Sequence, residues 1–397
     1  MRPRDDTYSE PMSTTLQDFA LIGGPIDCVG ALDFDRSGSG VTPRRLPHWT
    51  RSQVPDLFMH SMIAMGSGVR LSFATNSEVV ELDVLVTGFR IANSAARAPV
   101  FQLRGSGVAV QTVPAASFNC FVIDMSNPDD VGYEDGGATT VRFAGLGDGW
   151  KSIEIWLPHA ASTELRALRI SNDAEARPAE PTGKRRWLHY GSSISHCMEA
   201  DTPLEVWPAV AADLGGVDLF SLGLAGQCQL DQFVARTIRD LPLDVISLKL
   251  GINIVNGDAM RERAFVPAVH GLLDTIRDGH PDVPILVVSP IFCPSAEDQP
   301  GPTLMSADGG FDTVPGMESI RNGCLTLVRI RELLELIVTI RREVGDGNLH
   351  YLDGLQLFGA DDAADLPDRL HPNNDGYARM GRRFAGLAFG DGAPLAG

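Results

Sequence analysis

The sequence predicts two domains of different class, an all-β sandwich over residues 16–175 and a three-layer α/β domain over residues 184–392. Three observations lead there. Before residue 174, apolar residues alternate with polar ones in short runs. After residue 184, short apolar runs alternate with helical stripes. Between them lies a Pro/Ala/Glu-rich stretch, 174–184 (AEARPAEPTGK), which reads as a linker. At 397 residues the chain also exceeds the size that one core usually serves.

In the first half, Val69, Leu71 and Phe73 alternate with small or polar neighbours. Val80, Leu82, Val84 and Val86 do the same, with Glu81 and Asp83 on the opposite face. Ile153, Ile155 and Leu157 repeat the pattern after the Gly-Asp-Gly turn at 147–149. Period-two alternation between turns predicts half-buried antiparallel strands, hence a sandwich of jelly-roll character without a long helix.

In the second half, Trp187–Tyr190, Val217–Leu222, Val245–Leu250, Ile285–Ile291 and Leu349–Leu352 read as buried parallel strands. Helical stripes lie between and after them. Leu230, Phe233, Val234, Ile238 and Leu241 form one, stopped by Pro242. Ile330, Leu333, Leu334, Ile337 and Val344 form a second, ended by Gly345. Tyr377, Met380, Phe384 and Leu387 form a third. In such sheets ligands bind at the carboxyl ends of the strands, which is where chemistry is sought.

Composition narrows the function classes. The hydrophobic fraction is 44% and the charged fraction 21%, as expected of a folded chain. Acidic residues outnumber basic ones by 51 to 33, for a net charge of -18, which repels nucleic acid and anionic membranes. The apolar stretches are too short for a membrane span, and the N-terminus lacks the apolar core of a signal peptide, so a cytoplasmic location is expected. The six cysteines form no disulfide framework or C-x-x-C pair. Thiols are expected, although Cys197 with Cys228, or Cys293 with Cys324, could approach each other.

Four segments carry unusual residues. His189-Tyr190-Gly191-Ser192-Ser193-Ile194-Ser195 can lift a hydroxyl clear of the sheet. Leu222-Gly223-Leu224-Ala225-Gly226-Gln227 is a glycine-rich loop whose N–H groups are available to a ligand. Leu250-Gly251-Ile252-Asn253 puts a side-chain amide at the same rim. Asp368-Arg369-Leu370-His371 spaces a carboxylate to hold an imidazole of its own loop. Each alone is most often a turn; their order and their placement at strand ends carry the weight.

Residues 184–392 thereby resemble the SGNH/GDSL hydrolase superfamily of serine esterases, and the whole chain resembles carbohydrate esterases with an N-terminal jelly roll. The resemblance implies a flavodoxin-like catalytic fold. It implies Ser193 as nucleophile, His371 as base and Asp368 as its partner, with Ser193, Gly226 and Asn253 forming an oxyanion hole. It departs from the family pattern at Ser192, where an Asp is usual, leaving three nearby serines of which the motif selects Ser193. The expected activity is hydrolysis of a carboxylic ester, acetyl or another small acyl group on a carbohydrate or metabolite. Acyl transfer to a non-water acceptor and an inert carbohydrate-binding protein are the alternatives.

The remaining features read more plainly. His189 and His196 flank the nucleophile but fit packed residues, and Trp187 and Trp207 fit the core. Residues 293–324 form a long Pro/Gly-rich insertion after a strand end, for which a lid is the favoured role. Nothing in the nine histidines has metal-ligand spacing, so no metal and no cofactor are expected. The expected partner is the ester substrate alone, with no nucleic acid and no membrane.

Overall fold

The computed structural model describes residues 16–92, 94–124, 131–314 and 322–397. The first half is a two-sheet sandwich. One sheet runs Val131–Glu134, Asn119–Ile123, Val79–Ile91, Ser162–Ser171, Val41–Arg44, Asp33–Arg36, with Leu16–Phe19 and Thr139–Ala144 pairing onto it. The other runs Ala176–Arg177, Arg70–Thr75, Lys151–Trp156, Val100–Gly105, Val108–Pro114, with Asp27–Val29 at its side. Val80, Leu82, Val84 and Val86 face Leu71, Phe73, Ile153 and Ile155 in one buried core. Glu81 and Asp83 point outward, where Arg142 and Arg169 pair with them. Two details depart from the expected pattern. Thr87–Ile91 runs parallel to Asn119–Ile123, and the linker begins inside the fold, because Ala176–Arg177 pairs antiparallel with Arg70–Thr75.

One helix, α1 (Leu57–Ala64), interrupts this half after the side chain of Asp56 caps it by accepting from Met59 N. It has no lengthy amphipathic stripe, which is why the sequence hides it.

The second half is a parallel sheet of β1 (Arg186–Gly191), β2 (Asp218–Gly223), β3 (Val245–Lys249), β4 (Ile285–Val288) and β5 (Leu349–Leu352). Their spatial order is β2-β1-β3-β4-β5, the doubly wound flavodoxin-like arrangement. The connecting helices are α2 (Ser193–His196), α3 (Trp207–Gly215), α4 (Gln232–Asp240), α5 (Ile252–Asn256), α6 (Glu262–Gly279), α7 (Leu327–Glu343) and α8 (Asn374–Phe384). α3 packs on α8 and α4 on α6. α6 was not among the expected helices; Phe265, Val269, Leu272, Leu273 and Ile276 bury its inner face, and Pro267 breaks the pattern near its start.

The two halves share material. Met59, Met62 and Ile63 of α1 belong to the core of the parallel-sheet half, together with Leu46 and Trp156. Full burial of one such side chain is worth ~1.5–3 kcal/mol. Arg45 and Arg70, wholly buried, reach across to the backbone of β2: Arg45 donates to the carbonyl of Gly223 at 2.7 Å, and Arg70 to that of Leu219 at 3.0 Å. Between them Gly68, at φ +79°, lies so close to Ser221 that a Cβ would sit 2.7 Å from the Ser221 Cβ, so only glycine fits. Residues 184–397 expressed alone are therefore expected to aggregate or to melt well below the full chain, as solubility and thermal denaturation would measure.

Candidate active site

The turn that carries Ser193 is built at the end of β1. Gly191 closes the strand, Ser192 is extended, and Ser193 begins the four-residue α2, whose N–H groups at Ser195 and His196 bond back to the Ser192 carbonyl. This geometry separates the three serines. Ser192 and Ser195 are wholly buried, and the Ser195 hydroxyl is tied to His189 Nε2 at 2.8 Å. Ser193 alone reaches outward, its Oγ 2.9 Å from His371 Nε2.

The D-x-x-H loop holds its imidazole as its spacing implied. Asp368 Oδ2 lies 2.7 Å from His371 Nδ1, while Oδ1 accepts from the backbone N–H groups of Leu370 at 2.9 Å and His371 at 2.7 Å. Burial alone would raise the Asp368 carboxyl, but the His371 side chain and these N–H groups hold it below the ordinary carboxylate value. An ionised Asp368 requires the hydrogen on Nδ1, leaving Nε2 to accept from the Ser193 hydroxyl. Burial alone favours a neutral His371; the carboxylates of Glu199 and Asp368 outweigh it, so its pKa stands above that of a free imidazole.

The described part of the insertion forms a hairpin, Thr303–Met305 with Phe311–Thr313, docked against this loop. Phe311 N–H donates to the Asp368 carbonyl at 2.8 Å, and its ring meets the His371 ring edge-on at 5.6 Å. Arg369, at φ +66°, pairs with Asp308 and Asp312 of the hairpin. The hairpin is thus a buttress of the histidine loop; residues 315–321 of the expected lid lie outside the described residues.

The glycine-rich loop and Asn253 meet in one corner. Leu224 N–H bonds to the Gly191 carbonyl at 2.8 Å, which joins this loop to the strand that leads into Ser193. Asn253, at the start of α5, accepts from Cys228 N–H at 3.0 Å, leaving its Nδ2 group to donate. Gln229 bridges the corner, donating to the Asn253 carbonyl at 3.3 Å. Gly226 has φ +69°, and a Cβ there would stand 3.0 Å from the ring of Phe58 on α1.

Three residues at the site, Phe58, Phe311 and Glu199, were missed from sequence. Phe58 comes from the other half of the chain and Phe311 from an insertion, so no local pattern marks them. His189 and His196 are packed residues. Burial, with Lys249 nearby, pulls His189 down to about 3, and its Nδ1 contacts Ser247 Oγ at 2.7 Å. Cys197 and Cys228 are buried thiols rather than a disulfide, as is Cys293.

A hydroxyl, an imidazole and a carboxylate in one hydrogen-bonded line, at the carboxyl end of a doubly wound sheet, define the serine-hydrolase arrangement. Residues 189–379 match the model of the GDSL-like Lipase/Acylhydrolase family. Solved structures of similar shape cover nearly the whole chain. The salicylyl-acyltransferase SsfX3 from a tetracycline biosynthetic pathway is 25% identical with a TM-score of 0.77, over 93% of this chain and 95% of that one. A GDSL-like lipase from Bacteroides ovatus is 20% identical with a TM-score of 0.63, over 91% and 94%. A family two carbohydrate esterase from Cellvibrio japonicus is 13% identical with a TM-score of 0.57, over 94% and 96%. The last two likenesses bear on the fold alone. A comparison with curated proteins found no match. Among the described residues no helix is long and apolar enough to cross a membrane.

The raised His371 pKa sets a pH dependence. The base role expected of His371 from the sequence requires it unprotonated, so under that expectation kcat/KM for an ester should fall on the acid side with a midpoint above that of a free imidazole. A pH–rate profile with an acid limb centred below it would contradict this electrostatic picture.

Proposed function

We propose that the protein is a serine esterase that works through an acyl-enzyme on Ser193. The observation that carries this reading is the line from Ser193 Oγ to His371 Nε2 at 2.9 Å and from Nδ1 to Asp368 at 2.7 Å. As Ser193 Oγ attacks the ester carbonyl carbon, its proton passes to Nε2. The tetrahedral oxyanion is held by the N–H groups of Ser193 and Gly226 and by the Asn253 amide. Its collapse breaks the bond to the alcohol oxygen, which takes the proton from His371. Water then attacks the acyl carbon as its proton passes to the same nitrogen, and collapse breaks the bond to Ser193 Oγ, which takes that proton back as the acid leaves. Asp368 fixes the imidazole and stabilises its charged form throughout.

The substrate in this reading is a small acyl ester of a carbohydrate or other metabolite. A second reading has one specific observation in its favour, the 25% identical acyltransferase that covers nearly the whole chain. Acyl transfer to an acceptor hydroxyl uses the same residues and replaces water only in the second half of the reaction. The products formed from p-nitrophenyl esters with and without added sugar or alcohol acceptors distinguish hydrolysis from transfer. A catalytically inert binding protein would fail to react with a fluorophosphonate probe.

Three substitutions test the residues. Ser193→Ala should abolish ester turnover and fluorophosphonate labelling with the fold intact, whereas labelling that survives there and disappears in Ser192→Ala or Ser195→Ala would move the nucleophile. Asn253→Ala should cost ~10²–10³ in kcat, the usual loss for one oxyanion donor. Phe58, 48% exposed beside Gly226, is placed to line the acyl or alcohol pocket. Phe58→Ala should lower the preference for octanoate over acetate esters by roughly tenfold, read as the ratio of the two kcat/KM values; an unchanged ratio would remove Phe58 from the pocket.

A further inference from the structure

His371 is faced by more than one acid. Its Nδ1 carries one hydrogen, and Asp368 Oδ2 takes it at 2.7 Å. Glu199 Oε1 stands on the same side of the ring, 3.6 Å from Nδ1. Glu199 is held there from several directions. Its Oε2 accepts from the buried Tyr377 hydroxyl of α8 at 2.7 Å, which leaves Oε1 turned to the imidazole. The backbone around it is clamped by Arg97 of the sandwich half, which donates to the carbonyls of Glu199 at 3.2 Å and Ala200 at 3.3 Å and to Asp201 Oδ1 at 2.9 Å. Asp201 N–H is in turn held by Asn374 of α8 at 3.2 Å.

Two carboxylates on one edge of a neutral imidazole repel each other, and that repulsion is relieved when a cation forms between them. The cation that this site forms is the imidazolium. We propose, on the reading of Ser193 and His371 as nucleophile and base, that Glu199 is a second acid of the site. In this role it is a positioning residue that stabilises the charged form of His371 together with Asp368 and sustains part of the activity when Asp368 is lost. The charge balance around the ring fits this role. From its own loop His371 faces Asp368, from the loop after α2 Glu199, from α2 the neutral Ser193, and from the hairpin the uncharged ring of Phe311. The neighbouring cations are occupied elsewhere, Arg369 by Asp308 and Asp312, and Arg97 by Asp201 and the backbone. The Coulombic pull of Glu199 on His371 acts in the same direction as that of Asp368.

The test is a titration of the His371 imidazole by NMR in the full-length protein, assigned with His371→Asn, for wild type and Glu199→Gln. The expected result is a lower His371 pKa in Glu199→Gln, with the acid limb of kcat/KM moving to lower pH by the same amount. A His371 titration unchanged by the substitution overturns the proposal, and this readout stands even if no ester turnover is found. Absence of turnover and of fluorophosphonate labelling in the wild type would count against the esterase reading instead. Should Glu199→Gln fail to fold, Glu199→Ala removes the same charge, and a titration unmoved in that variant overturns the proposal equally. In kinetics, Asp368→Ala combined with Glu199→Gln should lose about tenfold more activity than the product of the two single losses, a coupling of the usual size for groups in contact. Losses that simply multiply would mean that Glu199 does not stand in for Asp368. Glu199, Asp368 and His371 also form a grouping with metal-ligand spacing among the described residues. Loss of activity on treatment with EDTA, restored by a divalent cation, would assign Glu199 to that ion and overturn its role as second acid.

Discussion

The outer edge of the parallel sheet is closed by arginine rather than by another strand. β2 has β1 as its one strand neighbour, so its other edge would present a row of bare backbone groups, a template for unwanted pairing. Arg70 donates to the carbonyl of Leu219, and Arg45 to those of Ser221 and Gly223, every second residue along that edge. Arg45 also donates to the Met62 carbonyl at the end of α1, where a positive charge suits the helix dipole. Burial pulls Arg45 down to about 9, so at neutral pH a cation remains fixed among carbonyl dipoles. The chain has three lysines, Lys151, Lys184 and Lys249, against thirty arginines. A planar fork of five donors can serve several carbonyls at once, which an ammonium does with far less directional control.

This joint sets the geometry of the site because β2 runs directly into the glycine-rich loop. Gly223, whose carbonyl Arg45 holds, is followed by Leu224, bonded to Gly191 of the strand that leads into Ser193, and then by Gly226. α1, pinned by the same guanidinium and by its buried methionines, carries Phe58 to the face of Gly226. The sandwich therefore touches the crevice through a rigid contact. From the other side the insertion hairpin supports His371 by the same means, with Arg369 between Asp308 and Asp312. Each half of the candidate machinery, oxyanion corner and base, is buttressed by a segment foreign to the core α/β pattern.

What could be read from the sequence follows from where each signal is stored. Strand alternation, helical stripes and the D-x-x-H loop are local, so both sheet systems and the Ser193, His371 and Asp368 positions were legible. Gly226 and Asn253 were legible because loops at neighbouring strand ends of one sheet must converge. Arg45, Arg70, Phe58 and Glu199 act on partners about 150 to 180 residues away, and one arginine, phenylalanine or glutamate in a sequence carries no mark of such a partner. The parallel pairing of Thr87–Ile91 with Asn119–Ile123 was hidden for a related reason, since alternation specifies a face and not the direction of a neighbour. The linker was misjudged at its start because two residues of strand are too few for any pattern to show.

Charge at the joint and charge at the site respond to pH in opposite senses. Burial alone would raise Glu154, but Arg70 and Arg104 bring it down to about 2, and Arg104 goes on to Asp213 of α3. A carboxyl depressed in the folded state stabilises it above its unfolded pKa, and that contribution is lost as pH falls through the carboxylate range toward about 2. His371 is shifted the other way. A raised imidazole stabilises the fold below its unfolded pKa and loses that contribution as pH rises through the folded value. The proposed chemistry needs His371 neutral, so it operates where the histidine has given up its contribution to stability and the two acids beside it repel most. The joint, fully charged there, lies in the sandwich contact and not in the crevice. Stability at the working pH is thus supplied by residues that take no part in the reaction, and the strain of paired carboxylates is left at His371, where a forming imidazolium relieves it.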